Sequence, residues 1–164
     1  MAATRSTSEP GTSPRGTPEA PDTPAPDGVL TPVAGGTRWT LTGVPPQFDR
    51  VPYVRHQVAL VLGVWQLADL AWATQLAASE LVTNVVLHAR TPFSVTLAWD
   101  GRTLRCEVVD VTAAPPVPDP TPTVDQPTGR GLLLVSHIAH RWGYQPHGHG
   151  KSIWFELTRD GVPR

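Results

Sequence analysis

Three polar residues recur at every fourth position of an otherwise apolar stretch: Glu80, Asn84 and His88, within residues 76–89. On an α-helix this spacing stacks a carboxylate, an amide and an imidazole close to one face. Such groups are costly to bury unless they bind something; the plain alternative is a polar stripe turned to water. Glu80 is suited to accept a proton from an attacking hydroxyl or water. Asn84, one turn on, offers the kind of single oxygen ligand that Mg²⁺ takes alongside phosphates and retained waters. Further along, Asp110 closes a strand-like run, where a carboxylate can accept from the exocyclic amine of adenine. Gly129-Arg130-Gly131 leads directly into an apolar segment, and glycines there let backbone N–H groups and a helix N-terminus approach a phosphate. Gly150-Lys151-Ser152 opens the last apolar run. Each feature by itself is ordinary: a turn before a helix, a turn starter, a hairpin tip. The four in this order within 164 residues are hard to obtain by chance.

These groups need elements to hold them. Residues 37–42 alternate polar and apolar as a strand ended by Pro45-Pro46. Asp49 can cap a helix over about 50–62 whose first turn tolerates Pro52, and Gly63 loosens its join to a second helix over 67–89. Pro92 disfavours helix in Thr91 and ends that second helix. Residues 93–99 and 104–109 read as a hairpin around Asp100-Gly101, with Phe93, Val95, Leu97 and Trp99 sharing a face. Residues 111–128 hold six prolines and no periodicity, the composition of a lid or binding loop. A short helix over 132–140 and a final hairpin of 142–145 with 153–158 complete the chain. Helices beside an antiparallel-rich sheet make an α+β two-layer sandwich.

Composition narrows the function classes. Residues 1–34 are rich in Pro, Thr, Ser, Gly and Ala without an aromatic residue, the signature of a disordered tail ahead of a domain spanning 35–160. With 13 basic and 14 acidic residues the net charge of −1 gives no footprint for nucleic acid or an anionic membrane. No apolar run reaches the roughly 18–20 residues of a membrane span, and there is no secretory h-region, so a soluble cytoplasmic protein is the expectation. The lone Cys106 reads as a buried thiol. The six tryptophans read as core. His137, His140, His147 and His149 lack the cysteine or carboxylate spacing of a metal site.

Ser79-Glu80-Leu81-Val82-Thr83-Asn84 followed by His88-Ala89 resembles the N-box of the histidine-kinase-like ATPase superfamily, which also holds gyrase-type topoisomerases and mismatch-repair ATPases. Thr128-Gly129-Arg130-Gly131-Leu132-Leu133-Leu134-Val135 is similar to its second glycine box, and Gly150-Lys151-Ser152-Ile153-Trp154-Phe155-Glu156-Leu157 to its last motif. The resemblance covers about residues 37–158. It implies a Bergerat-type fold: a mixed, mostly antiparallel sheet covered on one face by helices. The chain is short for the topoisomerases and shows no upstream module with a phosphoacceptor histidine. It is most similar to the small stand-alone branch, the anti-sigma-factor serine/threonine kinases and their actinobacterial relatives. By that resemblance Glu80 is the general base, Asn84 the Mg²⁺ ligand and Asp110 the adenine reader. Gly129, Arg130 and Gly131 hold the phosphates of ATP, Ser152 sits beside Asp110 at the adenine, and His88 supports near the phosphates. The family's first glycine box, Asp-x-Gly-x-Gly, reads Asp110-Val111-Thr112-Ala113-Ala114 here: the aspartate is kept and both glycines are gone. That restricts the backbone where the loop would curve past a nucleotide. Two functions therefore stand side by side. One is an ATP-dependent kinase acting on Ser or Thr of a partner such as an anti-anti-sigma factor. The other is a non-catalytic module that sequesters a sigma factor or its antagonist. Homodimer formation is left open.

Overall fold

The computed structural model describes residues 24–111 and 130–159. Six strands form one sheet: β1 (Val29–Val33), β2 (Gly36–Val44), β3 (Phe93–Trp99), β4 (Thr103–Asp110), β5 (Arg141–His147) and β6 (Gly150–Thr158). Their order is β1-β2-β3-β4-β6-β5 and every neighbouring pair is antiparallel, the limit of the mostly antiparallel sheet expected. Helices α1 (Arg50–Val64), α2 (Ala68–Asn84) and α3 (Arg130–Ile138) make the second layer. α1 and α3 each pack on α2, which lies across β4 and β6.

Period-two alternation decides which sheet face meets the helices. In β4 the buried positions are Leu104, Cys106, Val108 and Asp110; in β6, Ile153, Phe155 and Leu157 do the same. Val58, Leu62, Leu70, Ala77 and Leu81 close over them from α1 and α2. Burial pushes the Cys106 thiol pKa well up, so it is an inert core group.

Several local expectations are corrected. The tail does not extend to residue 34, because β1 pairs with β2 over its length and Asp27 is clamped ahead of it. The Asp27 carboxylate accepts from Tyr53 (2.9 Å) and from the Gln57 amide (3.2 Å), and its backbone N–H donates to Gln57 Oε1 (2.6 Å). All five side chains of β1 are exposed, so backbone pairing orders a segment with no apolar pattern. Residues 1–23 lie outside the described residues. Asp49 makes no side-chain cap; it is already helical and pairs with Arg50 at 3.1 Å. The reversal after α1 falls at Gln66 (φ 56°), not Gly63. There Leu67 N–H reaches Leu62 O and Gln66 N–H reaches Gly63 O, the paired bonds of a Schellman ending. Trp99 pairs with Leu104 and the Asp100 N–H reaches Thr103 O at 3.3 Å, so the β3–β4 loop has two residues as expected but they are Gly101-Arg102, one position on from Asp100-Gly101. Of the tryptophans only Trp39 is fully buried, and Trp72 is 66% exposed.

Candidate active site

α2 carries the first group of predicted residues, and its sequence explains how. Ser79 is buried and its hydroxyl donates to Gln75 O (2.6 Å) while accepting from Arg55 Nε (2.8 Å), tying α2 to α1. Thr83 donates to Ser79 O at 2.7 Å. These back-bonds keep the hydroxyls of the motif occupied within the helix. Glu80 and Asn84, between them, are half-buried rather than turned to bulk water. The Asn84 amide Nδ2 is buried and has no hydrogen-bond partner among the described residues. An orphaned amide is a cost unless a ligand takes it up. A half-turn about its last side-chain bond presents the oxygen instead, so the group fits an ion that seeks one neutral oxygen.

His88 does not continue the stripe. After Asn84 the backbone widens into a π-helical turn, Val85–Ala89, closed by the Arg90 N–H on Val85 O at 2.9 Å and by Arg90 in the left-handed region (φ 52°). The i→i+5 bonding breaks the four-residue repeat, and His88 is exposed. The α-helix therefore ends at Asn84 and not near Ala89. Single-turn π segments of this kind favour functional positions.

The glycine pair meets the acid. Arg130 opens α3, so Gly131 lies in the first helical turn rather than ahead of the helix. A Cβ on Gly131 would stand 2.5 Å from Glu80 Oε2 and 3.4 Å from Glu80 Cβ. Only a hydrogen leaves the carboxylate room at this contact, which gives the glycine a role beyond turning the chain. Gly129 and the loop of 112–128 lie outside the described residues.

Asp110 ends β4 on the helix-facing side and is 1% exposed. The residue directly opposite it on β6 is Lys151, not Ser152, whose register partner is Val109. By alternation Ser152 is directed to the other side of the sheet from Asp110, and its buried Oγ has no hydrogen-bond partner among the described residues. Ser152 is thus one residue out of the position expected for it. Lys151 is 7% exposed, and its Nζ lies 3.4 Å from Asp110 Oδ2. A Cβ on Gly150 would collide with the Asp110 carbonyl oxygen and the Val111 Cα, so a side chain there would force the start of β6 away from β4. Lys151 was missed in the sequence although a signal existed: counting back by twos from Phe155 and Ile153 puts it on the core face. The strands that bring it to Asp110 are separated by α3 and β5, and spacing alone does not pair them.

No cluster of three or more His, Cys, Asp or Glu side chains that could hold a metal occurs among the described residues. His147 and His149 are exposed at the β5–β6 hairpin. No helix among the described residues is long and apolar enough to cross a membrane.

A helical layer on an antiparallel sheet, with the Glu80/Asn84 helix meeting the first turn of α3 at Gly131, defines a two-layer α/β sandwich. Residues 44–157 match the histidine kinase-like ATPase domain family, and the chain belongs to that family. The membership supports an ATP-binding protein. No curated protein matches the chain.

Proposed function

We propose that the protein binds ATP and transfers its γ-phosphoryl group to a Ser or Thr hydroxyl of a partner protein, in a partner switch of the anti-sigma-factor kind. The observation that carries this reading is the meeting of Glu80 with Gly131 one turn from the orphaned Asn84 amide. A proton acceptor, a vacant amide and a helix start converge there. Glu80 accepts the proton of the attacking hydroxyl as the new O–P bond forms and ADP departs with the old one. The N-terminus of α3, opened by Arg130 and Gly131, supplies backbone N–H groups and partial positive charge for the phosphates. Asn84 would hold Mg²⁺, which when bound offsets charge on the triphosphate. Asp110 accepts from the amine of the base, and His88, at the rim, has a supporting role near the phosphates.

The partner reading, an anti-anti-sigma or sigma factor in the cytoplasm, rests on the resemblance of the motifs. Incubation with Mg²⁺ and labelled ATP beside candidate partners, with nucleotide-dependent melting measured in the same samples, tests it. Label transfer to a partner Ser or Thr supports the kinase. A melting shift with no transfer to any partner removes the catalytic step. The missing glycines after Asp110 favour a second reading, a non-catalytic module that sequesters such a partner; it expects partner binding that is indifferent to ATP.

A further inference from the structure

Lys151 has no task in the reading above, yet it is among the few buried charged side chains. A buried ammonium is costly without a counter-charge, and Asp110 supplies one. A plain inter-strand ion pair would account for that much. The geometry goes further. The 3.4 Å separation exceeds the roughly 2.7–2.9 Å of a tight charge-assisted hydrogen bond. An ammonium has three donors, and among the described residues Asp110 is the one side chain within ion-pair reach of Lys151 Nζ. Both side chains are directed to the helix-facing side of the sheet, at the paired ends of β4 and β6.

We propose that Lys151 is a specificity-determining residue of the nucleotide site, reading the base together with Asp110; this rests on the ATP-binding reading above. Asp110 and Lys151 form an acceptor beside a donor. Adenine presents the complement along one edge: the N6 amine, a donor, next to ring N1, an acceptor. Asp110 accepts from N6 and Lys151 donates to N1. Guanine set in the same orientation turns O6 toward the carboxylate and N1–H toward the ammonium, so both contacts become repulsive. The close approach made possible by Gly150 sets the two groups side by side.

The test uses the full chain with three ligands: ATP, 1-deaza-ATP (N1 replaced by C–H) and purine riboside triphosphate, which lacks the N6 amine. Binding is measured by calorimetry. Wild type should bind 1-deaza-ATP about ten- to hundredfold more weakly than ATP. Lys151→Met should bind ATP and 1-deaza-ATP equally, while keeping its preference for ATP over the amine-free analogue, which reports on Asp110. Lys151→Arg, which keeps a donor, should restore part of the N1 preference. A wild-type protein that does not distinguish ATP from 1-deaza-ATP overturns the proposal without recourse to any variant. So does a Lys151→Met protein that retains the wild-type ratio, or one that binds ATP more tightly because the ammonium was an obstruction. If wild type binds none of the three, the ATP-binding reading itself fails.

Discussion

The open face of the sheet and the helical layer differ in how they hold their most prominent polar side chains. On the face turned from the helices, Arg105 pairs with Glu156 at 3.0 Å and Glu107 at 3.7 Å and lies 4.0 Å above the ring of Trp154, while Arg141 reaches Glu156 at 3.7 Å. Each of these charges has a partner within the protein. In the helical layer opposite, the Asn84 amide has none, and Glu80 is held against a glycine rather than a counter-ion. Polar groups that satisfy one another describe a surface that stabilises the domain modestly. The Asn84 amide is a buried polar group left over beside a carboxylate, a combination that suits a ligand; on the open face the one such group is the lone Ser152 hydroxyl, among the described residues.

The largest effect expected to test this contrast is at Glu80. Glu80→Gln should lower phosphoryl transfer by about 10²–10⁴-fold with ATP binding nearly intact, measured by label transfer and calorimetry. Parallel loss of binding would make Glu80 a structural group like those of the open face. Gly131→Ala comes next. The added methyl must push the Glu80 side chain aside, so turnover should fall by about 10²-fold while the melting temperature barely moves. A collapse of stability instead would show that the contact serves packing.

A matched pair sharpens the comparison at smaller magnitude. Glu156→Ala strips Arg105 and Arg141 of an acceptor and should cost up to about 1 kcal/mol in denaturant unfolding, with ATP binding unaffected. Asn84→Ala removes a buried amide with no partner, so stability should hold or rise while Mg²⁺-dependent ATP binding falls. Equal destabilisation by the two would erase the distinction between the faces.

The smallest effect belongs to the β3–β4 turn. Backbone N–H groups of Thr103 and Arg102 donate to Asp100 Oδ1 and hold its pKa below the usual carboxylate value. The folded value being the lower one, this contribution is present above the unfolded pKa, about 4, and is lost as pH falls through the folded value. In unfolding titrations across acid pH, Asp100→Asn should flatten that part of the profile by lowering stability slightly at neutral pH while leaving it nearly unchanged in acid.

How much of this was legible beforehand depends on whether neighbours in space are neighbours in the chain. The hairpin of β3 and β4 was readable because one turn joins strands of clean alternation. Glu80 and Asn84 were readable because a helix repeats every turn. His88 was not, because the sequence gives no clear sign that the helix widens into a π turn just after Asn84. β1 was missed because an edge strand with all side chains exposed carries no hydrophobic pattern, only backbone pairing and the Asp27 clamp.

The chain's own periodicities determined its α+β class, the helix that carries the acid and amide, and the strand that ends in Asp110. Only the folded arrangement decided that Lys151 and not Ser152 faces that aspartate, and that Gly131 lies on Glu80. The first depends on the register of two strands that are not consecutive, and the second on two helices packed across a long connection. Residue spacing encodes repeats along one element, whereas contacts between distant elements are set by how their apolar faces close on a shared core.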